Sequence, residues 1–133
     1  MSQELSDMKK IINVLALLLT LSLQAYDSEI SAKEVLYLPE EEKVELIGNI
    51  SLAFEGWTFL AERGEFHIQE KKLFLQGDDS KKASFKNVGR SVFGEANYIE
   101  VKLSESINLS GDAILTSESE IIKSNKISYK FPY

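Results

Sequence analysis

Val44-Glu45-Leu46-Ile47-Gly48-Asn49-Ile50-Ser51-Leu52-Ala53-Phe54 decides the fold. Its even positions are Val, Leu, Gly, Ile, Leu and Phe, while the odd ones include Glu45, Asn49 and Ser51. Alternation with a period of two marks a strand with one face buried. Gly48 packs nothing, and a glycine inside a strand marks a bend or a close backbone approach. The opening of the stretch, apolar-x-Leu-x-Gly, returns as Leu73, Leu75, Gly77 and as Ile107, Leu109, Gly111. An aromatic residue precedes each glycine by 11, 11 and 13 positions, namely Tyr37, Phe66 and Tyr98. From Gly48 to Phe66 is 18 residues, from Gly77 to Tyr98 is 21, and from Gly111 to Tyr129 is again 18. The chain therefore repeats a unit of 29 to 34 residues three times and opens a fourth. If every unit bends at its glycine, each strand can curve round a common core.

Outward from this stretch, Glu55-Gly56 reads as a turn, and Trp57, Phe59 and Ala61 restart the alternation. Arg63-Gly64 reads as a break before Phe66 and Ile68, and Glu70-Lys71-Lys72 as a polar hairpin tip. The middle unit is diluted by the charged run Asp78-Asp79-Ser80-Lys81-Lys82, with Phe85, Val88, Val92 and Phe93 carrying its apolar weight. The third unit recovers with Ile99, Val101, Leu103, Ile107, Leu109, Ile114 and Leu115, followed by Ile121, Ile122, Ile127, Tyr129 and Phe131. Ser31 to Leu38 is the one stretch compatible with a helix, and its place in the repeat argues for strand. Nine to eleven short strands with turns every 7 to 12 residues predict an all-β sandwich, roll or barrel.

A chain of 133 residues holds one domain. Apolar residues make up 44% and charged residues 27%, which excludes disorder throughout. With 21 acidic against 15 basic groups, a net charge of −6 and no basic cluster longer than a pair, nucleic acid is a poor partner. The absence of cysteine removes disulfides and thiolate metal sites.

Lys9-Lys10 precedes a leucine-rich run from Ile11 to Ala25. As a helix this run spans roughly 22 Å, short of the ~30 Å hydrocarbon core of a bilayer. A positive start, a short apolar middle and a small residue at Ala25 predict a helical secretory signal over 1–25, followed by one domain over 26–133. Met8 resembles a natural start. An uncleaved anchor is the alternative, favoured by the large Leu23. Removing 1–25 takes away two basic and two acidic groups and leaves the net charge at −6.

Few residues suggest catalysis. His67, the only histidine, alternates with Phe66 and Ile68 and reads as a solvent-facing strand residue. Asp78 and Asp112 follow two of the repeat glycines and could serve a glycosidase as paired carboxylates. Acids in such places are more simply turn residues, and Glu40-Glu41-Glu42 reads as a solvated turn. No nucleophile elbow, phosphate loop or metal-spaced cluster is present, so neither enzyme nor cofactor is expected. What stands out is apolar surface: Phe54, Trp57, Phe59, Phe66, Phe74, Phe85, Phe93 and Tyr98 suit a core, or a sandwich that opens to an acyl chain.

In the repeats the apolar-x-Leu-x-Gly strand alternates with a segment that runs Ala/Gly-Glu and reaches an aromatic residue three or four positions after the Glu, Ala61-Glu62-Arg63-Gly64-Glu65-Phe66 and Gly94-Glu95-Ala96-Asn97-Tyr98. Together with the signal, this pattern over residues 32 to 131 resembles the LptA/OstA-like proteins of lipopolysaccharide transport. The resemblance implies a β-jellyroll whose apolar interior holds the acyl chains of lipopolysaccharide. It also implies end-to-end stacking through edge strands into a periplasmic bridge, from an inner-membrane LptC-like protein to an outer-membrane LptD-like protein. The interior set it points to is Val44, Leu46, Ile50, Leu52, Phe54, Trp57, Phe59, Phe66, Leu73, Leu75, Ile107 and Leu109. An acidic chain repels lipid A phosphates, so binding through the acyl tails is expected. The chain is shorter than typical LptA proteins, and its middle unit is charged where the family keeps strand.

Three rival readings make different predictions. An LptC-like component retains 1–25 as an anchor, which the mass of the mature protein decides. An envelope polysaccharide hydrolase using Asp78 and Asp112 loses its activity in Asp78→Asn and Asp112→Asn. A structural envelope protein pairing through Ile127 to Phe131 forms oligomers indifferent to lipid.

Overall fold

The alternation that begins at Val44 becomes a twelve-residue strand, β3 (Lys43–Phe54), with Val44, Leu46, Ile50 and Leu52 buried on one face. Gly48 and Asn49 take left-handed φ values of 79° and 48°, and the pairing slips between Ile47 and Ile50, so the strand bends there. The computed structural model describes residues 29–131, and the expected signal segment lies outside the described residues. The other strands are β1 (Glu29–Ser31), β2 (Glu34–Leu38), β4 (Trp57–His67), β5 (Lys72–Gln76), β6 (Ala83–Asn87), β7 (Val92–Ala96), β8 (Tyr98–Lys102), β9 (Ser106–Ser117) and β10 (Glu120–Lys130). Short 3-10 turns occupy Pro39–Glu41 and Val88–Arg90. The chain is an all-β, jellyroll-like fold of antiparallel strands.

The pairings resolve into seven rungs in chain order: β1 with β2, then β3, β4, β5 with β6, β7 with β8, β9 and β10. Each rung bends near its middle and pairs antiparallel with the next on both sides of the bend. Half-sheet A contains β2, residues 43–47, 63–67, β5, β8, 106–110 and 126–130. Half-sheet B contains β1, residues 51–54, 57–61, β6, β7, 113–117 and 120–124. The core lies between the two.

The bends are stitched to one another. The Lys33 N–H donates to the Gly48 carbonyl at 2.9 Å, Asn97 N–H to Gly111 carbonyl at 2.9 Å, and Gly77 N–H to Asn97 carbonyl at 3.1 Å. Gly111 and Asp112 repeat the left-handed pair of Gly48 and Asn49, with φ of 81° and 50°. A side chain at either glycine would also press on the adjacent bend, since its Cβ would lie 2.9 Å from Lys33 or from Asn97.

Three expectations need correction. Arg63-Gly64 is not a break: β4 runs through it, and the inward positions change from 57, 59, 61 to 64, 66 because Glu62 sits at the bend. The change of phase imitates a turn. Nor are the strands uniformly short, as β3, β4, β9 and β10 span 11 or 12 residues. In the middle unit the charged run is a loop let into a rung at the bend. Asp78 closes it, accepting from Ser80 N–H at 2.9 Å, Ser80 Oγ at 2.8 Å and Lys81 N–H at 2.9 Å. β6 then resumes the rung with Ala83 and Phe85 inward. Val88 and Phe93, expected to carry apolar weight, are exposed, and Ala83, Ala96 and the buried Asn87 fill that part of the core instead.

Candidate functional site

The interior is a wedge, and cross-strand register builds its walls. On half-sheet A one row runs Leu46, Gly64, Leu75, Ile99, Leu109, and the row farther from the bend runs Val44, Phe66, Leu73, Val101, Ile107. On half-sheet B the residues nearest the bend are Ile50 with the small Ala61, Ala83, Ala96 and Ala113, and the next row holds Leu52, Phe59, Phe85, Gly94 and Leu115. Small side chains where the half-sheets converge and rings where they diverge follow from close packing of a tapering space. Gly64 fits the same logic, because a Cβ there would stand 3.1 Å from Leu75 and 3.3 Å from Ile50.

Eleven of the twelve residues named from the sequence are buried in this wedge, and Phe54 is half-buried at its margin. Phe74 faces the opposite way, paired with Glu65 and Glu100 on the outer side of half-sheet A. Sequence reasoning left Ile99, Val101, Ala113 and Leu115 out of the set, although register pairs Ile99 with Leu75 and Val101 with Leu73.

At the side away from the bend the wedge is closed by rings. Phe54 stacks on Phe59 at 5.7 Å between centroids, and Phe85 lies 6.0 Å from Phe59 and 5.9 Å from Trp57. All four residues belong to half-sheet B. From half-sheet A, Tyr129 and Phe131 meet Trp57 edge-on at 5.9 and 5.3 Å. The interior therefore offers mainly apolar contact to a ligand, and Asn87, buried beside Trp57, is already engaged by the Arg90 N–H at 3.2 Å. Among the described residues no buried side-chain nitrogen or oxygen lacks a partner, and no three His, Cys, Asp or Glu side chains converge as metal ligands.

The two carboxylates considered for acid–base chemistry have other occupations. Asp78 is committed to its own loop, whose hydrogen bonds hold its carboxyl below the usual range. Asp112 is paired with Lys82 at 2.9 Å, which likewise lowers its pKa, and Lys82 also donates to the Asp112 carbonyl at 2.9 Å. This clamp ties the inserted loop to the bend of β9. His67 ends β4, where its Nε2 lies 3.0 Å from Glu65 and its ring meets Phe74 edge-on at 4.9 Å. That contact, with Lys43 close by, holds the Glu65 carboxyl below its ordinary range.

One feature outside the wedge had no signal in the sequence. A groove of about 550 Å³ on the outer face of half-sheet A is lined by Ile47, Arg63, Phe74, Tyr98 and Glu100, among others. Its residues come from five separate strands and meet only through register.

The family model described as "LptA/(LptD N-terminal domain) LPS transport protein" matches residues 67–131. Among solved structures, the chain is similar to LptH, the LptA homologous periplasmic component of the conserved lipopolysaccharide transport device from Pseudomonas aeruginosa. The TM-score is 0.67 at 11% identity, over 77% of this chain and 74% of that one. At that identity the likeness is one of fold. No curated protein matches the sequence.

Proposed function

We propose, from the match of residues 67–131 to the LptA/LptD N-terminal family model and the likeness of fold to LptH, that this chain is an LptA/OstA-like periplasmic carrier that passes lipopolysaccharide between the inner and outer membranes as part of a bridge. The family is one of lipopolysaccharide transport proteins, not of enzymes. The observation that carries the proposal is the wedge, an uninterrupted apolar interior running across all the rungs. Val44, Leu46, Ile50, Leu52, Phe54, Trp57, Phe59, Phe66, Leu73, Leu75, Ile107 and Leu109 are the proposed contacts for the acyl chains of lipid A. Each buried methylene gains about 0.8 kcal/mol, which suits a ligand held by its tails against a net charge of −6.

The two ends of the sheet support stacking of copies. β10 pairs only with β9, and its outer edge carries Lys123, Lys126 and Lys130. At the other end, β1 and β2 pair only with β3 and carry Glu29 and Glu34, followed by Glu40, Glu41 and Glu42. A basic edge and an acidic edge, each with unpaired backbone groups, are complementary surfaces for head-to-tail strand addition. The same edges would meet an LptC-like protein on the inner-membrane side and an LptD-like protein on the outer.

A photoreactive residue placed in turn at Phe54, Trp57 and Phe74 tests this reading with purified lipopolysaccharide. Crosslinks at Phe54 and Trp57 with none at the outward Phe74 are expected. Absence of crosslinks at both inward positions refutes the carrier.

A further inference from the structure

The protein's own side chains fill the interior, so an acyl chain lodges there only where some of them give way. The rungs are unequal in this respect. β3 through β9 each have strand neighbours on both sides, whereas β10 has one. Residues 120–126 of β10 are exposed throughout, and Ile122, on the inward side opposite Leu115, is still 46% exposed. What fastens β10 across the wedge is its far end, where Ile127, Tyr129 and Phe131 pack half-buried against the core. Tyr129 and Phe131 reach Trp57, the first residue of β4, on the other half-sheet. Both partners stand at the ends of their strands farthest from the bend, where the half-sheets diverge. This is the place at which separating two ring contacts uncovers the widest part of the wedge.

The chemistry of the exposed pocket is then fixed. Trp57, Phe59, Phe85 and Phe54 form a continuous apolar wall. The Phe85 ring lies over Gly94, its partner across the strand pair, in space that a Cβ at position 94 would take. A ring wall whose buried polar neighbour, Asn87, is already bonded to the Arg90 N–H accepts a flexible saturated chain and offers no charge to a phosphate.

We propose, building on the carrier reading, that Phe54, Trp57, Phe59 and Phe85 are the first binding site for an acyl chain, and that Tyr129 of β10 and Phe131, the residue just after it, occupy it until the lipid displaces them. β10 thereby acts as the chain's own competitor for the site. Its detachment leaves the bend and the remaining rungs in place, since all its ladder bonds go to β9 alone. Apparent affinity is the intrinsic affinity reduced by the fraction of molecules in which the site is vacated.

Trp57 is the only tryptophan and reports on the site directly. Dibromostearate, whose bromines quench indole fluorescence on contact, is titrated into the full chain, and lipopolysaccharide binding is measured separately by co-sedimentation. Quenching of Trp57 is expected in the unaltered protein. In Tyr129→Leu/Phe131→Leu, which keeps apolar bulk and removes the ring contacts, tightening of about tenfold is expected, because two edge-on ring pairs bias closure by that order. If lipopolysaccharide co-sediments but Trp57 is never quenched, this site is refuted while the carrier reading stands. Weaker binding by the leucine variant refutes displacement, because Tyr129 and Phe131 are then walls of the site. Absence of binding in both assays overturns the carrier reading and this site together.

Discussion

Gly94→Ala is the sharpest test of how the ring wall is built. Gly94 faces inward on β7 opposite Phe85, and a methyl group there would overlap that ring, with Cζ only 2.7 Å away. Two effects oppose each other. Alanine restricts the unfolded chain and fits a strand better than glycine, a gain of about 0.5–1 kcal/mol. Against this, over-packing a filled core costs about 1–3 kcal/mol. The overlap prevails, because Phe85 is 2% exposed and is backed by Trp57 and Phe59, so its ring has nowhere to retreat. A net loss of about 1–2 kcal/mol lowers the midpoint of a domain this size by roughly 4–9 °C. Thermal unfolding followed by circular dichroism measures it, with Gly89→Ala as the control, since a Cβ there would meet nothing nearer than Asn87 Oδ1 at 3.6 Å. The control should stay within about 0.5 kcal/mol of the parent. In a Phe85→Leu background the cost of Gly94→Ala should shrink, as neighbours that clash are coupled. An unchanged midpoint for Gly94→Ala, or an equal cost in both backgrounds, refutes the role assigned to Phe85.

Gly111→Ala places a side chain at φ of 81° and 2.9 Å from Asn97; a loss of about 1–3 kcal/mol in urea unfolding is expected, with Gly111→Asn milder because asparagine tolerates left-handed backbone. Leu46→Ala, at 1% exposure, should cost about 2–5 kcal/mol, while Leu36→Ala on the exposed side of β2 should cost little. The carboxyl of Glu65 is lowered from its ordinary 4.5 in the folded state, first by His67 and then by Lys43. Its stabilising share is whole above that value and is lost as pH falls below it through the folded pKa. Midpoints of the parent and Glu65→Gln should therefore converge as pH drops from 5 towards 3 (about the span of that titration); parallel curves would refute the pairing.

The repeat made much of this fold legible, for a definite reason. Alternation in β3 and β9 is a local pattern, and the bend at Gly48 and Gly111 is fixed by residues that favour positive φ. The sequence pattern divides β4 in two because a bend made at one residue, Glu62, shifts the inward phase, and a shifted phase is locally indistinguishable from a turn. Val88 and Phe93 were misplaced for a related reason. Hydrophobicity alone does not show that Ala83 and Ala96 face the narrow part of the wedge. Of the candidate site, the alternating residues could be named one strand at a time. The meeting of Tyr129 and Phe131 with Trp57, like the outer groove around Arg63 and Phe74, depends on separations of dozens of residues, which no local pattern encodes.

The seven rungs follow one another in sequence exactly as far as they follow one another in space, and that gives the molecule a length that is a matter of arithmetic. Each added rung extends the sheet by roughly 4.8 Å and hydrogen-bonds along its ladder only to the rung before it, so the ladder's share of stability grows by nearest-neighbour terms, as in solenoid repeats, while side chains such as Tyr129 reach farther across the wedge. A duplicated pair of rungs would lengthen the apolar interior by roughly 10 Å while leaving both terminal edges unchanged. Reach across a gap can thus be set by the number of units within a chain as well as by the number of chains.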